Sequence, residues 1–239
     1  MHEFTRRSVA ALVAQGTPPA VVQIGNEVTN GFLWNGTAQP CSDGGKLYCN
    51  GTDTATEWAR FGRLVGAGIS GCKLGCPGCA IAIHTDLGNR IHNAGIAWVV
   101  KWYTLLSQHL PPTAVTAGDP TTPSFDLIGL SLYPTWDGGS TMESVAALGT
   151  LAAAFPSTAI YIAETSYPAD GEQQPEHDYP ADPAGQLAFL RAVRAGLKRA
   201  LPAAQHGGVL WWEGAENSWS ALFDSGFVAR EALRDGFRA

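Results

Sequence analysis

Charge is scarce in this chain. Only 15% of its 239 residues are Asp, Glu, Lys or Arg, well under the usual quarter, and no basic run occurs. The net charge is −6, which argues against nucleic acid as a partner, because phosphate recognition needs a clustered positive footprint. Long apolar runs are missing too. No stretch of eighteen apolar residues exists, so no transmembrane helix and no membrane partner are expected. No Gly-rich phosphate loop follows any strand-like segment, which leaves a dinucleotide-binding sheet without support. The opening Met1-His2-Glu3-Phe4-Thr5-Arg6-Arg7 carries charges without an apolar run behind it and does not read as a signal peptide.

What is present is core material. Hydrophobic residues make up 45% of the chain, enough for one large core or two small ones. Eight tryptophans fit a protein that stacks on sugar rings or other flat ligands, although core packing alone could use most of them.

The chain alternates between two periodicities. Val21-Val22-Gln23-Ile24 is short, apolar and β-branched, the pattern of a strand buried on both faces. Strands are also predicted at Ala80–His84, Phe125–Leu132, Ala159–Ala163 and Gly208–Trp212. Helical spacing predicts helices at Ser8–Gln15, Glu57–Ile69, Gly95–Leu110, Met142–Phe155, Ala184–Leu201 and Phe227–Phe237. Thr29 to Thr56 reads as one long polar loop, with Trp34, Cys41, Cys49 and two Asn-Gly-Thr sequons from which nothing is read. Repeated strand, loop and helix predict a parallel sheet wrapped by helices, in either an open doubly wound sheet or a closed barrel. Every predicted strand ends in polar or aromatic residues, and such ends suit the mouth of a sugar-binding barrel.

Two of those ends carry a glutamate. Glu27 follows the first strand and Glu164 the fourth. A carboxylate after a buried strand is costly to desolvate unless something holds or uses it. One such Glu can be a helix cap or an ion-pair partner. Two suggest the acid and the nucleophile, or base, that glycoside hydrolysis needs on one bond.

The motifs around these residues carry a resemblance. Ile24-Gly25-Asn26-Glu27 with Gly31-Phe32-Leu33-Trp34 resembles the fourth-strand signature of the arabinogalactan endo-β-1,4-galactanases, glycoside hydrolase family 53. His84-Thr85-Asp86 resembles the fifth strand end. Phe125-Asp126 to Tyr133-Pro134 resembles the sixth strand, Glu164-Thr165-Ser166-Tyr167-Pro168 the seventh and Trp211-Trp212-Glu213 the eighth. The resemblance runs from about residue 18 to the end.

It implies an α/β fold of the (β/α)8 TIM-barrel type, with strands 4 to 8 here. It also implies a single catalytic domain over 1–239, incomplete at its N-terminus. The implied activity is endo-acting, retaining cleavage of β-1,4-galactosidic linkages in arabinogalactan. Glu27 would be the acid/base and Glu164 the nucleophile, with carboxyls about 5–5.5 Å apart. Asn26 would hold the sugar 2-hydroxyl, and Trp212 would form the floor of the subsite beside the cut bond, flanked by Trp136 or Trp34. His84, Asp86, Tyr133 and Glu213 complete the implied sugar contacts. No cofactor is implied, although Asp170, Glu172, Asp178 and Asp182 in the loop 169–183 could hold calcium. The family implies secretion and a monomer when complete. This chain expressed by itself is expected to be poorly soluble and inactive, because its first and last strands would expose bare edges.

Two other readings compete. Cys72, Cys76 and Cys79 form a CxxxCxxC motif of the spacing used by radical enzymes with an iron–sulfur cluster and S-adenosylmethionine. The motif precedes a strand, though, which puts it at the end of a barrel opposite Glu27 and Glu164. The plainer account of the five cysteines is two disulfides and a free thiol, in keeping with export. The third reading is a non-catalytic sugar-binding barrel.

Overall fold

A computed structural model describes residues 1–33, 44–49, 51, 53–112, 125–133, 140–171, 178–215 and 219–238. In chain order its helices are α1 (His2–Ala14), α2 (Ala55–Gly75), α3 (Ile91–Ala94), α4 (Ile96–His109), α5 (Thr141–Ala154) and α6 (Pro183–Ala200). Its strands are β1 (Val21–Gln23), β2 (Gly31–Phe32), β3 (Gly45–Lys46), β4 (Ala80–Thr85), β5 (Leu127–Ser131), β6 (Ala159–Thr165) and β7 (His206–Trp211). They fall into two compact units. The first comprises Met1–Thr85 and Val100–Gly129, the second Asp86–Val99 and Leu130–Ala239.

In the first unit β1 pairs in parallel with β4, Val21 opposite Ala80 and Gln23 opposite Ala82. Beyond β4 the sheet continues to β5. There the Asp126 carboxylate accepts the Ile81 N–H at 2.7 Å. Helix α2 starts at a capping box: the Thr54 hydroxyl accepts from the Glu57 N–H, and the Glu57 carboxylate accepts from the Thr54 N–H. Two of its glycines, Gly71 and Gly75, lie on the face turned to α1. A Cβ at Gly71 would stand 2.2 Å from the His2 carbonyl oxygen, and one at Gly75 2.6 Å from that of Arg6. The helices approach closely only because these side chains are missing, which offsets the roughly 1 kcal/mol that each helical glycine costs. Trp58, Phe61, Trp102 and Tyr103 form the core in edge-to-face pairs, with Trp102 and Tyr103 centroids 4.9 Å apart.

In the second unit the C-terminal end of β5 is followed by β6 and then β7. β6 and β7 run parallel, Ile162 opposite Val209 and Thr165 opposite Trp211. Helix α5 is capped by Ser140 and α6 by Asp182, with Pro183 in its first turn. Val145, Leu148 and Leu151 of α5 and Leu190, Val193 and Leu197 of α6 are buried. The Gln205 amide nitrogen lies 2.7–3.2 Å from the carbonyl oxygens of Ala152, Phe155 and Thr158, and so ties the α5–β6 turn to the start of β7.

Several expectations are corrected. β1 is not buried on both faces: Val21 is 43% exposed and Gln23 is exposed. Among the described residues β1 pairs on one side only, so its β-branched residues sit on an edge. The segment after it is no uniform loop, since it holds a 3₁₀ turn at Val28–Asn30 and the antiparallel pair β2–β3. β6 continues through Glu164 to Thr165, so that glutamate lies within the strand. The predicted C-terminal helix is reduced to a short π-helical segment, Ala232–Gly236.

Candidate active site

The glutamates end parallel strands in different units. On the first, the Ile24 N–H donates to Ala82 and extends the pairing past β1. The chain then turns at Gly25, whose φ is +82°. Glu27 itself holds a left-handed backbone, φ 45° and ψ 50°, a conformation that costs a non-glycine residue on the order of 1 kcal/mol or more. The following 3₁₀ turn is anchored from α4: the buried Trp102 indole donates to the Thr29 carbonyl at 3.0 Å. Glu27 is exposed, so the desolvation argument that singled it out does not describe it. His84, at the end of β4, is only 1% exposed. Its Nδ1 lies 3.1 Å from Asn26 Oδ1 and 3.2 Å from Gln23 Nε2.

In the second unit Glu164 is 9% exposed. The Tyr133 hydroxyl donates to its Oε2 at 3.1 Å. Tyr133 is itself held, its N–H donating to Asn89 Oδ1 at 2.6 Å. The Leu132 N–H donates to the Glu164 carbonyl, and the Thr165 hydroxyl donates to the Leu132 carbonyl at 2.6 Å. The carboxylate is thus fixed through side chain and backbone. Its charge also acts on Tyr161. Burial first, and the Glu164 carboxylate second, push the Tyr161 phenol up to about 12.

Trp212 follows β7 with its N–H on the Thr165 carbonyl, and the residue is 44% exposed. An exposed ring at a strand end is available for stacking. Trp211 is committed to the fold instead, its indole donating to the Ser220 carbonyl. Glu213 is exposed on a left-handed backbone, φ 51°. Asp86 pairs with Arg90 at 2.8 Å, and the Arg90 guanidinium lies 6.0 Å from the Trp98 ring centroid. Trp136, Trp34 and Glu172 lie outside the described residues.

The sequence reading missed Gln23, Asn89 and Trp102. Asn89 and Gln23 had no signal, being single polar residues among many. Trp102 had only its ambiguity as one of eight tryptophans.

The sequence model of glycosyl hydrolase family 53 matches residues 1–232. The chain belongs to glycosyl hydrolase family 53. A protein of Niallia circulans described as an uncharacterized protein in the bgaB 5′ region is 31% identical over 234 residues, 91% of this chain and 56% of that protein. A probable arabinogalactan endo-β-1,4-galactanase A of Aspergillus terreus is 27% identical over 226 residues, 90% of this chain and 55% of its own length. The chain therefore spans about half the length of these relatives. A fungal β-1,4-galactanase structure superposes with a TM-score of 0.76 at 22% identity, over 100% of this chain and 67% of that one. That likeness establishes the fold as the parallel βα units of a (β/α)8 barrel.

The iron–sulfur alternative is corrected here. Cys76 and Cys79 are joined in a disulfide. Cys72 is a buried free thiol, its pKa pushed up by burial, so the three do not offer the thiolates a cluster needs. Cys49 is also disulfide-bonded. The acids of the loop 169–183 have separate duties. Asp170 pairs with Arg230, Asp178 accepts the Thr141 N–H, and Asp182 caps α6. Among the described residues they do not gather into a metal-binding group, and calcium has no support from them. No helix of the described chain is long and apolar enough to cross a membrane.

Proposed function

We propose that this chain is the part of a secreted endo-β-1,4-galactanase that carries both reacting carboxylates, and that the enzyme cleaves arabinogalactan with retention. The observation that carries this reading is the Tyr133–Glu164 pair. A carboxylate that is 9% exposed, at the end of a parallel strand and with one oxygen held by a phenol, is suited to be a fixed nucleophile. Glu164 attacks the anomeric carbon as the glycosidic C–O bond breaks, and Glu27 gives its proton to the leaving oxygen. Water then loses a proton to Glu27 and attacks the same carbon, and the bond to Glu164 breaks. Asn26 hydrogen-bonds the 2-hydroxyl, and Trp212 stacks beneath the ring. His84 supports Asn26 from β4. Tyr133 orients the nucleophile, while Asp86 and Glu213 line the sugar path. The chemistry needs only the two carboxylates and no cofactor, and the complete enzyme acts as a monomer. The disulfide between Cys76 and Cys79 supports export.

The test is covalent trapping in the full-length gene product. A 2-deoxy-2-fluoro galactoside with a good leaving group should label one peptide, and mass spectrometry should place the label on Glu164. A label on another carboxylate would reassign the nucleophile. Galactan binding without a label and without release of reducing sugar would favour the non-catalytic reading.

A further inference from the structure

Six tryptophans lie among the described residues, and four of their rings have partners. The indoles of Trp58, Trp102 and Trp211 donate to Asp53, to the Thr29 carbonyl and to the Ser220 carbonyl, and Trp98 lies against the Arg90 guanidinium. Trp212 and Trp219 differ. They are 44% and 43% exposed, and neither has an aromatic contact or an indole hydrogen bond among the described residues. Trp212 already has a role beneath the sugar. Trp219 has none in the reaction as proposed.

A single exposed apolar residue needs no explanation. What sets Trp219 apart is how firmly its main chain is held. Its carbonyl accepts the Ala169 N–H at 2.9 Å. The next carbonyl, that of Ser220, accepts the Trp211 indole at 3.0 Å and lies 3.1 Å from the amide nitrogen of the buried Gln186. That nitrogen also lies 3.0 Å from the Tyr167 carbonyl oxygen and 3.3 Å from that of Ala221. The Leu222 N–H donates to the Gly214 carbonyl. A ring carried on a fixed backbone costs a ligand little ordering when it binds. Beside this anchor stands Asp170. The Arg230 guanidinium donates to its Oδ2 at 3.3 Å and to the Ala169 and Phe223 carbonyls at 3.3 and 3.2 Å. The Asp170 side chain is still 65% exposed, so a fixed carboxylate keeps open acceptor sites.

Both free rings hang on one segment. The Trp212 N–H donates to the Thr165 carbonyl and the Trp219 carbonyl accepts from Ala169. Four residues of extended chain span at most about 14 Å, the reach of a few linked sugar rings. We propose that Trp219 and Asp170 form a further galactosyl subsite, remote from the cut bond, in which the indole stacks on the sugar ring and the carboxylate accepts from its hydroxyls. Galactose suits such a platform. Its axial 4-hydroxyl leaves several C–H bonds gathered on the opposite face, an apolar patch for a flat ring. The inference rests on the galactan reading and adds a preference for long chains.

The test compares chain lengths in the full-length gene product. Measured as kcat/KM, long β-1,4-galacto-oligosaccharides should hold an advantage over an aryl galactobioside. Trp219→Ala should shrink that advantage about tenfold, the scale of one aromatic stack, and mainly through KM. Trp219→Phe, which keeps a ring, should restore most of it. Asp170→Asn should shrink it about fivefold, the scale of one hydrogen bond. An advantage that survives whole in Trp219→Ala would overturn the subsite. So would equal losses on long and short substrates, which would mark Trp219 as part of the fold. If the enzyme cleaves galactan and Glu164 takes the covalent label while Trp219→Ala changes nothing, the subsite fails alone. If galactan is neither cleaved nor bound, the reading beneath it fails and the subsite with it.

Discussion

Glu27 and Glu164 both end parallel strands, yet the two ends are built in opposite ways. Glu164 is a residue of β6 itself, 9% exposed, with a phenol on its carboxylate and ladder bonds on its backbone. Glu27 lies past the end of an edge strand, exposed, on a left-handed backbone steadied through its neighbour Thr29. The contrast suits the work proposed for each. A nucleophile must stay ionised and aimed, which favours fixed donors in a dry setting. An acid/base must exchange its proton with water between the two half-reactions, which favours access.

The largest expected effect tests the buried end. In the full-length gene product, Glu164→Gln should lower kcat/KM on β-1,4-galactan by roughly 10⁴-fold or more, and equally on an aryl galactoside with a good leaving group. Glu27→Gln should cost about 10²–10⁴-fold on galactan but less than about tenfold in the first step on the activated substrate, where little acid help is needed. Equal losses on both substrates would erase the distinction between the two ends.

The supports come next. Tyr133→Phe removes one hydrogen bond to a charged carboxylate, worth about 1.5–3 kcal/mol, so activity should fall about 10- to 100-fold with little change in Tm. Unchanged kcat would show that Glu164 is aimed without the Tyr133 phenol. Trp102→Phe keeps most of the aromatic packing but leaves the buried Thr29 carbonyl without its indole, at a cost of about 1–3 kcal/mol. Hydrogen exchange should quicken at Val28–Asn30 and leave β6 unaffected. Exchange that rises equally in both places would show that Trp102 supports the whole core and not the turn beside Glu27.

The smallest effect is one of pH. Tyr161 has its pKa raised to about 12, by burial and by Glu164. A raised folded-state value means that the stability it contributes is fully present below the unfolded value near 10, and is lost as pH rises through about 12. Tm should therefore fall between these limits, and fall less in Tyr161→Phe. A drop of the same size in the variant would assign the alkaline transition to other groups.

The strand–loop–helix order was legible because periodicity is local. Ala159–Thr165 and Ala80–Thr85 read as strands from their own residues. The capping box at Thr54 and Glu57 was just as local, and would have moved the start of α2 from residue 57 to 55. What misled was β1. Val-Val-Gln-Ile has the composition of a central strand, but exposure is set by what lies beside a strand, and no residue within it records that. The C-terminal segment misled for the same reason. Its helical spacing is real, but Phe223 and Ala229 pair across a bridge and the Arg230 N–H reaches Leu222, so the backbone is used elsewhere.

The sequence by itself determined at which strand ends the candidate residues stand: Asn26, Glu27, His84, Tyr133, Glu164 and Trp212 were singled out by short-range order and by motifs. Only the tertiary structure decided which partners hold them. The Asn26–His84 contact spans 58 residues, Gln23–His84 61, Tyr133–Glu164 31 and Trp102–Thr29 73. Hydrogen bonds of that kind depend on distance and angle between separate strands and helices. Any of several polar residues could have supplied them, so they leave no periodic trace in the chain.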